Sequence, residues 1–160
     1  MTAVAQTVGA SVVGRLTDIA PWEAELILSM RFWMDGPEGQ AAVWNGFART
    51  LGATEGRVAL RGFERLLSDL CTFARRPLVR HGPGCTCIGS DEALLQTLVR
   101  EAARGDHAEA VMIASLLVPA RHAEPIAVLA ARVGKAMRQV AQRAPRLQQD
   151  SPPPEPRTLH

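Results

Sequence analysis

The sequence predicts an all-α protein, a single compact bundle of about six helices. Three observations carry that expectation. Apolar residues recur at helical spacing over most of the chain. Gly, Pro and Asp interrupt the spacing where helix ends are due. The alternating β-branched and aromatic runs that strands need are missing, so no strand is expected. At 160 residues, 47% hydrophobic but only 4% aromatic, the chain has enough apolar material for one core, built mainly from Ala, Leu and Val.

Residues 1–15 read as a flexible N-terminal lead-in and residues 16–143 as the helical domain. Residues 144–160 hold five prolines and little apolar material, and read as a disordered Pro-rich tail. The first helix is expected from Asp18, its cap, to Met34, with Pro21 in the first turn. Its apolar stripe is Ile19, Trp22, Leu26, Met30 and Trp33. Asp35 and Glu38 have capping-box spacing before a second helix that carries Val43, Trp44, Phe47, Ala48 and Leu51 and stops at Gly52. Trp22, Trp33 and Trp44 are expected to anchor the core.

Thr54 is the expected cap of a long third helix, residues 55–75, which buries Ala59, Phe63, Leu66, Leu67, Leu70, Phe73 and Ala74. Gly56 and Gly62 each weaken it by roughly 1 kcal/mol relative to Ala. Pro77 stops it. Ser90 opens a fourth helix, with Asp91 and Glu92 in the first turn where the macrodipole favours acids, and Gly105 closes it. Asp106 and Glu109 repeat the capping-box spacing before a fifth helix that ends at Pro119. The last helix is expected from near Glu124–Pro125 to about Arg143. Ile126, Leu129, Ala130, Val133, Met137 and Val140 share one of its faces, and Arg132, Lys135, Arg138 and Arg143 the other. That basic side is either a solvated face or a second phosphate-contacting surface.

The densest chemistry lies between the third and fourth helices. All three cysteines and one of the four histidines fall between Cys71 and Cys87. Zinc takes four ligands and favours thiolate sulfur and imidazole nitrogen. Cys71, His81, Cys85 and Cys87, spaced Cys-x9-His-x3-Cys-x-Cys, would supply three sulfurs and one nitrogen. Glycines at 82, 84 and 89 suit a loop folding back around an ion. A structural zinc site tying the third helix to the fourth is therefore expected. Cys71 also fits a plain core position, in which case Asp91, His107 or His122 stands in as fourth ligand. An iron–sulfur cluster or a redox-active thiol pair are the other readings of the loop, as are loop cysteines with no metal.

The stretch from Phe47 to Val58 resembles the core of a bacterial helix-turn-helix. A small residue, Ala48, stands where two helices would cross. Gly52 follows at the turn and Val58 at the apolar anchor of the second helix, with Phe47, Leu51 and Thr54 at neighbouring positions. The resemblance spans about residues 44–65 and implies a DNA-binding regulator. Arg61 stands where that family usually has another apolar anchor, and Gly56 and Gly62 are unusual in a reading helix. Arg57, Arg61 and Arg65 form an i, i+4, i+8 stripe opposite the buried face, and such a stripe could meet phosphates or guanine edges. An ordinary helical hairpin with a solvated Arg face accounts for the same residues.

Formal net charge is +2, and 17 of the 18 basic residues are Arg. Neither fact selects a partner. No run of about 18 apolar residues exists, so no membrane partner is expected. No basic segment precedes the small apolar N-terminus, so a cytoplasmic protein with reduced thiols is expected. There is no phosphate loop, nucleophile elbow or His-x3-His pair, so an enzyme is not expected. The leading functional expectation is a DNA-binding transcriptional regulator with duplex DNA as its partner, and homodimerisation is a possibility. The alternatives are a zinc-stabilised helical protein-interaction module, or a thiol or iron–sulfur redox sensor.

Overall fold

The structure is a computed structural model and describes residues 9–149. Six helices span most of that range: α1 (Pro21–Met34), α2 (Pro37–Leu51), α3 (Ala53–Phe73), α4 (Ser90–Arg104), α5 (His107–Leu117) and α6 (Ala120–Gln149). The expected helical fold is present with one correction. Val12–Arg15 (β1) and Cys87–Gly89 (β2) pair as a small antiparallel sheet, with Gly14 opposite Ile88 and Arg15 opposite Cys87. An irregularity between Val12 and Gly14 and the length of only three or four residues leave no alternation to detect. Part of the expected flexible lead-in is thus fixed to the Cys/His loop, and the Leu16 N–H donates to the Thr86 carbonyl at 2.9 Å to extend the contact.

Several helix ends differ from expectation. Asp18 closes a single 3-10 turn, Leu16–Asp18, and α1 starts at Pro21. Its N-terminus is held by Glu23, whose carboxylate accepts the Ala20 N–H at 3.1 Å. Gly36, not Asp35, precedes α2, and Gly52 rather than Thr54 precedes α3. The Asp106 carboxylate does accept the Glu109 N–H, at 3.1 Å, so that cap stands as expected.

The largest difference is α6. It begins at Ala120, with the His122 N–H donating to the Pro119 carbonyl, and continues through residues 144–149, which the sequence assigns to the tail. Pro125 removes one rung from the helical ladder, the one that would end on the Arg121 carbonyl, and Arg121 is exposed. Residues 150–160 of the expected tail lie outside the described residues.

Helix α6 is the mast of the molecule and touches all five other helices. Ile126, Ala127, Ala130, Val133 and Met137 are buried along it. Its small residues allow close crossings. A Cβ on Gly134 would lie 2.5 Å from the Ala103 Cβ of α4. At the α2–α3 crossing the small residue is Gly56, where a Cβ would lie 2.9 Å from the Phe47 carbonyl oxygen and 3.0 Å from the Ala48 Cα. The aromatic centre of the core is Phe63, edge-on to Phe47 and Trp33 with ring centroids 5.9 and 6.1 Å away. Trp22, Trp33 and Trp44 are half-buried, and the first two pack against the edge of the core.

Candidate functional site

The residues after α3 have little regular structure until β2, so something must satisfy their backbone. Arg31 of α1 does much of this. It is completely buried, and all five of its N–H groups are engaged. Nε donates to Glu92 Oε1 at 2.7 Å and Nη2 to Glu92 Oε2 at 2.9 Å. The remaining hydrogens go to carbonyl oxygens of the Cys/His loop: Gly82 at 3.3 Å, Cys85 at 2.6 Å and Cys87 at 2.6 Å. A guanidinium has five donors in a fixed fork, and here each has an acceptor.

Glu92 is equally well met. It also accepts the Gly89 N–H at 2.9 Å and the His81 N–H at 3.1 Å. Burial by itself would push its carboxyl up, but the bonds from Arg31, Gly89 and His81 outweigh that and hold it below the ordinary carboxylate value. The bond to Glu92 in turn raises the already high pKa of Arg31. Asp91, the neighbouring acid, is buried and takes a two-pronged contact from Arg76, at 2.6 and 2.8 Å, and the Val79 N–H at 2.8 Å. The first-turn acids of α4 therefore face backward into the loop rather than outward to solvent.

The four expected metal ligands are placed differently from one another. His81 and Cys85 meet, with Cys85 Sγ 3.8 Å from His81 Nδ1. Cys87 follows in β2. Cys71 stays on α3, with one side exposed and the other lining a cavity of about 80 Å³ beside Leu67, Leu70 and Leu117. Among the described residues, no three His, Cys, Asp or Glu side chains form a group that could hold a metal ion. His81 and Cys85 are the two donors already adjacent. The stand-in ligands are engaged elsewhere: Asp91 with Arg76, His107 with Glu124 at 2.6 Å, and His122 stacked on Phe73 at 3.9 Å. Arg31 and Glu92 tie the loop that carries His81, Cys85 and Cys87 to α1 and α4.

Arg31 was the residue hidden from sequence reading, although a signal existed. Glu23, Leu26, Ile27, Met30 and Arg31 are all buried at i, i+3, i+4, i+7, i+8 spacing. An arginine inside that set must find acceptors in the core, and Glu92 is the acid that supplies them.

The arginines of α3 form a second site. Arg57, Arg61 and Arg65 are exposed, as their spacing predicts. Arg61 and Arg65 line an open groove of about 720 Å³ between α3 and α6, whose opposite wall carries Arg132, Lys135 and Arg143. The groove floor is apolar and mostly small: Val58, Ala59, Gly62, Leu129 and Ala136. Among the described residues, Arg61, Arg132 and Lys135 make no ion pair, whereas Arg65 binds Asp69 at 2.9 Å and Arg143 binds Glu55 at 3.2 Å. Arg138, on the same expected basic face of α6, turns away and lies over the Trp22 ring, 5.0 Å from its centroid. Val58, the residue at the helix-turn-helix anchor position, is 68% exposed at the groove instead of packed between helices.

Among the described residues, no helix is long and apolar enough to cross a membrane. No protein-family model, curated protein or solved structure matches this chain.

Proposed function

We propose that this protein is a non-catalytic protein-interaction module, and that the groove between α3 and α6 receives an acidic amphipathic helix of a partner protein. The observation that carries this reading is the lining of the groove. Among the described residues, five basic side chains and a single acid, Glu55, surround a floor of small apolar residues. A helix with side chains is about 10–12 Å across, and its apolar stripe needs a concave apolar bed while its flanking acids need cations on both sides. Leu129 and Val58 supply contact area, and Gly62 leaves open space, since nothing lies within 4 Å of a Cβ built there. Single-stranded nucleic acid fits less well, because the described residues lining the groove include none of the aromatic platforms on which bases stack.

The same cations make duplex DNA the competing occupant, with Arg57, Arg61 and Arg65 presented to the phosphates. A reading helix must project into the major groove, whereas α3 forms one wall of a concave groove with α6 beside it. Fluorescence anisotropy with a labelled Leu/Glu amphipathic peptide and a labelled duplex, each over a salt series, separates the two. The expected result is peptide binding that weakens on addition of salt and falls by about tenfold or more in Arg61→Glu/Lys135→Glu, since each reversed charge replaces attraction by repulsion. Peptide binding that is absent at low salt or indifferent to those substitutions overturns the proposal. Tight duplex binding with a steep salt slope that is lost in the same variant hands the groove to DNA.

A further inference from the structure

Helix α5 carries an apolar face that no described residue covers. Only His107, Glu109 and Ser115 interrupt its apolar run. A helix that is apolar on all sides is ordinarily buried on all sides. Here Ala110, Ile113, Ala114 and Leu117 face the core. On the far side Met112 is 55% and Leu116 62% exposed. Ala108, also exposed, completes an i, i+4, i+8 stripe. Leu78 and Leu94 extend it, lining a hollow beside Leu116 and Leu117. Clustered exposed apolar side chains rimmed by charge mark interaction surfaces.

Two charges flank the stripe, one at each end. Arg75 caps the C-terminal end of α5: its N–H donates to the Leu117 carbonyl at 2.9 Å and its Nε to the Ser115 carbonyl at 3.2 Å. Among the described residues its two Nη groups have no acceptor, and the Glu109 carboxylate has no donor. The helix geometry says what would join them. At about 100° per residue, Leu116 projects about 40° and Glu109 about 60° to the same side of Met112. Arg75 is on that side too, because it lines the hollow with Leu116. Consider a two-fold axis level with Met112, perpendicular to α5 and lying in the interface. It reverses the direction of the helix and keeps that side. Glu109 stands about 4.5 Å before Met112 along the helix, so the axis carries it about 4.5 Å beyond. There it lies beside Leu116 and Arg75 of the other copy.

We propose that α5 is the interface of an antiparallel homodimer, with Met112 meeting its own copy at the two-fold axis and two reciprocal Arg75–Glu109 ion pairs at the flanks. Burial of Met112, Leu116 and Ala108 supplies the driving force, and the ion pairs fix direction and register. The antiparallel arrangement also sets the positive N-terminus of each α5 beside the negative C-terminus of the other. One short helix and its flanks sit at the low end of specific interfaces, which bury about 1,200 Å² or more, so the dimer should dissociate on dilution. None of these residues lines the α3–α6 groove. The dimer and the groove therefore stand or fall separately.

Sedimentation of the full-length protein over a concentration series tests this. A monomer–dimer equilibrium is expected, and Met112→Glu/Leu116→Glu should abolish the dimer while far-UV circular dichroism stays unchanged, since both side chains are exposed. Arg75→Glu and Glu109→Arg should each weaken the dimer about tenfold or more, because each sets like charges together. The double variant Arg75→Glu/Glu109→Arg should recover most of the loss, which a merely destabilised fold would not do. Met112→Cys gives an independent reading. Facing Cα atoms of helices packed 8–10 Å apart lie about 5 Å from each other, within the roughly 4.4–6.8 Å range of disulfides. Mild oxidation should therefore link Met112→Cys chains into dimers far faster than wild type, whose exposed Cys71 serves as the control. A monomer at every concentration up to about 1 mM overturns the proposal and leaves the face to a different protein. A dimer that survives Met112→Glu/Leu116→Glu overturns it as well, as does a charge swap that recovers nothing.

Discussion

Arg31 shows how a single side chain can organise a segment with little regular structure. A buried ion pair adds little net stability when complete, because desolvating two charges offsets most of their attraction. Breaking one is different. Arg31→Met leaves Glu92 buried without its cation and three carbonyls without a donor, so it should cost about 3–5 kcal/mol. Arg31→Met/Glu92→Leu removes both charges, and its cost in urea denaturation should be smaller than the sum of the two single changes. The pH dependence has a definite sign. Glu92 titrates below the ordinary 4.5 in the folded chain, so the unfolded chain binds this proton more readily. The stability it contributes is complete above about pH 4.5 and drains away as pH falls through the folded value. The Tm gap between wild type and Glu92→Gln should be constant near neutrality and close in acid. A gap that widens in acid would reverse the assignment. At this scale the sequence was only partly legible. The Cys/His loop announced itself by composition, but its organiser sits on a distant helix, 61 positions from its partner, in a stripe that reads as apolar.

At the scale of elements, periodicity located all six helices because each buries one face against the same core. Their ends were less legible, since caps depend on one or two side chains that several neighbours could replace. The β1–β2 pair was invisible because its strands are too short for an alternating pattern and are joined only through tertiary structure. Close helix crossings were also hidden, because a glycine inside a helix reads as a defect until its neighbour is known. Two glycines make the distinction measurable. Gly62→Ala meets open space and replaces the poorest ordinary helix former with the best, so it should stabilise by roughly 1 kcal/mol. Gly134→Ala makes the same chemical change, but its Cβ would fall 2.5 Å from the Ala103 Cβ and 3.0 Å from the Val99 carbonyl oxygen. Overpacking should outweigh propensity there, for a net loss of about 1–3 kcal/mol. Opposite signs in urea denaturation are the expected outcome. The same sign at both positions would mean that α4 and α6 are not in the contact described.

Across the whole molecule, the devices that hold the fold and the surface proposed to bind a partner are different sets of residues. Arg31, Glu92, Arg76 and Asp91 staple the loop to α1 and α4, while the groove cations lie on α3 and α6. Each basic stripe was legible as spacing along its own helix. Their meeting was not, because it depends on how α3 crosses α6, and Arg138 shows that a stripe can be divided, with one member diverted to an aromatic ring. This separation predicts substitutions that change binding without changing stability. Among the described residues, Glu55 is the one acid in the groove lining, and it forms an exposed pair with Arg143 across the two helices. An exposed pair of this kind contributes at most about 1 kcal/mol, so Glu55→Gln should leave the denaturation midpoint nearly unchanged. Among the described residues it also removes the one negative charge lining the groove, and it frees Arg143 to meet the proposed acidic helix. Anisotropy should therefore show the Leu/Glu peptide binding a few-fold more tightly, with a steeper loss of affinity on adding salt, because one more cation takes part. Arg65→Gln should do little by comparison, since Asp69 already holds that guanidinium at 2.9 Å. If Glu55→Gln leaves affinity unchanged while Arg65→Gln abolishes it, the partner lies along the outer face of α3, on the side of Arg57, and not in the groove.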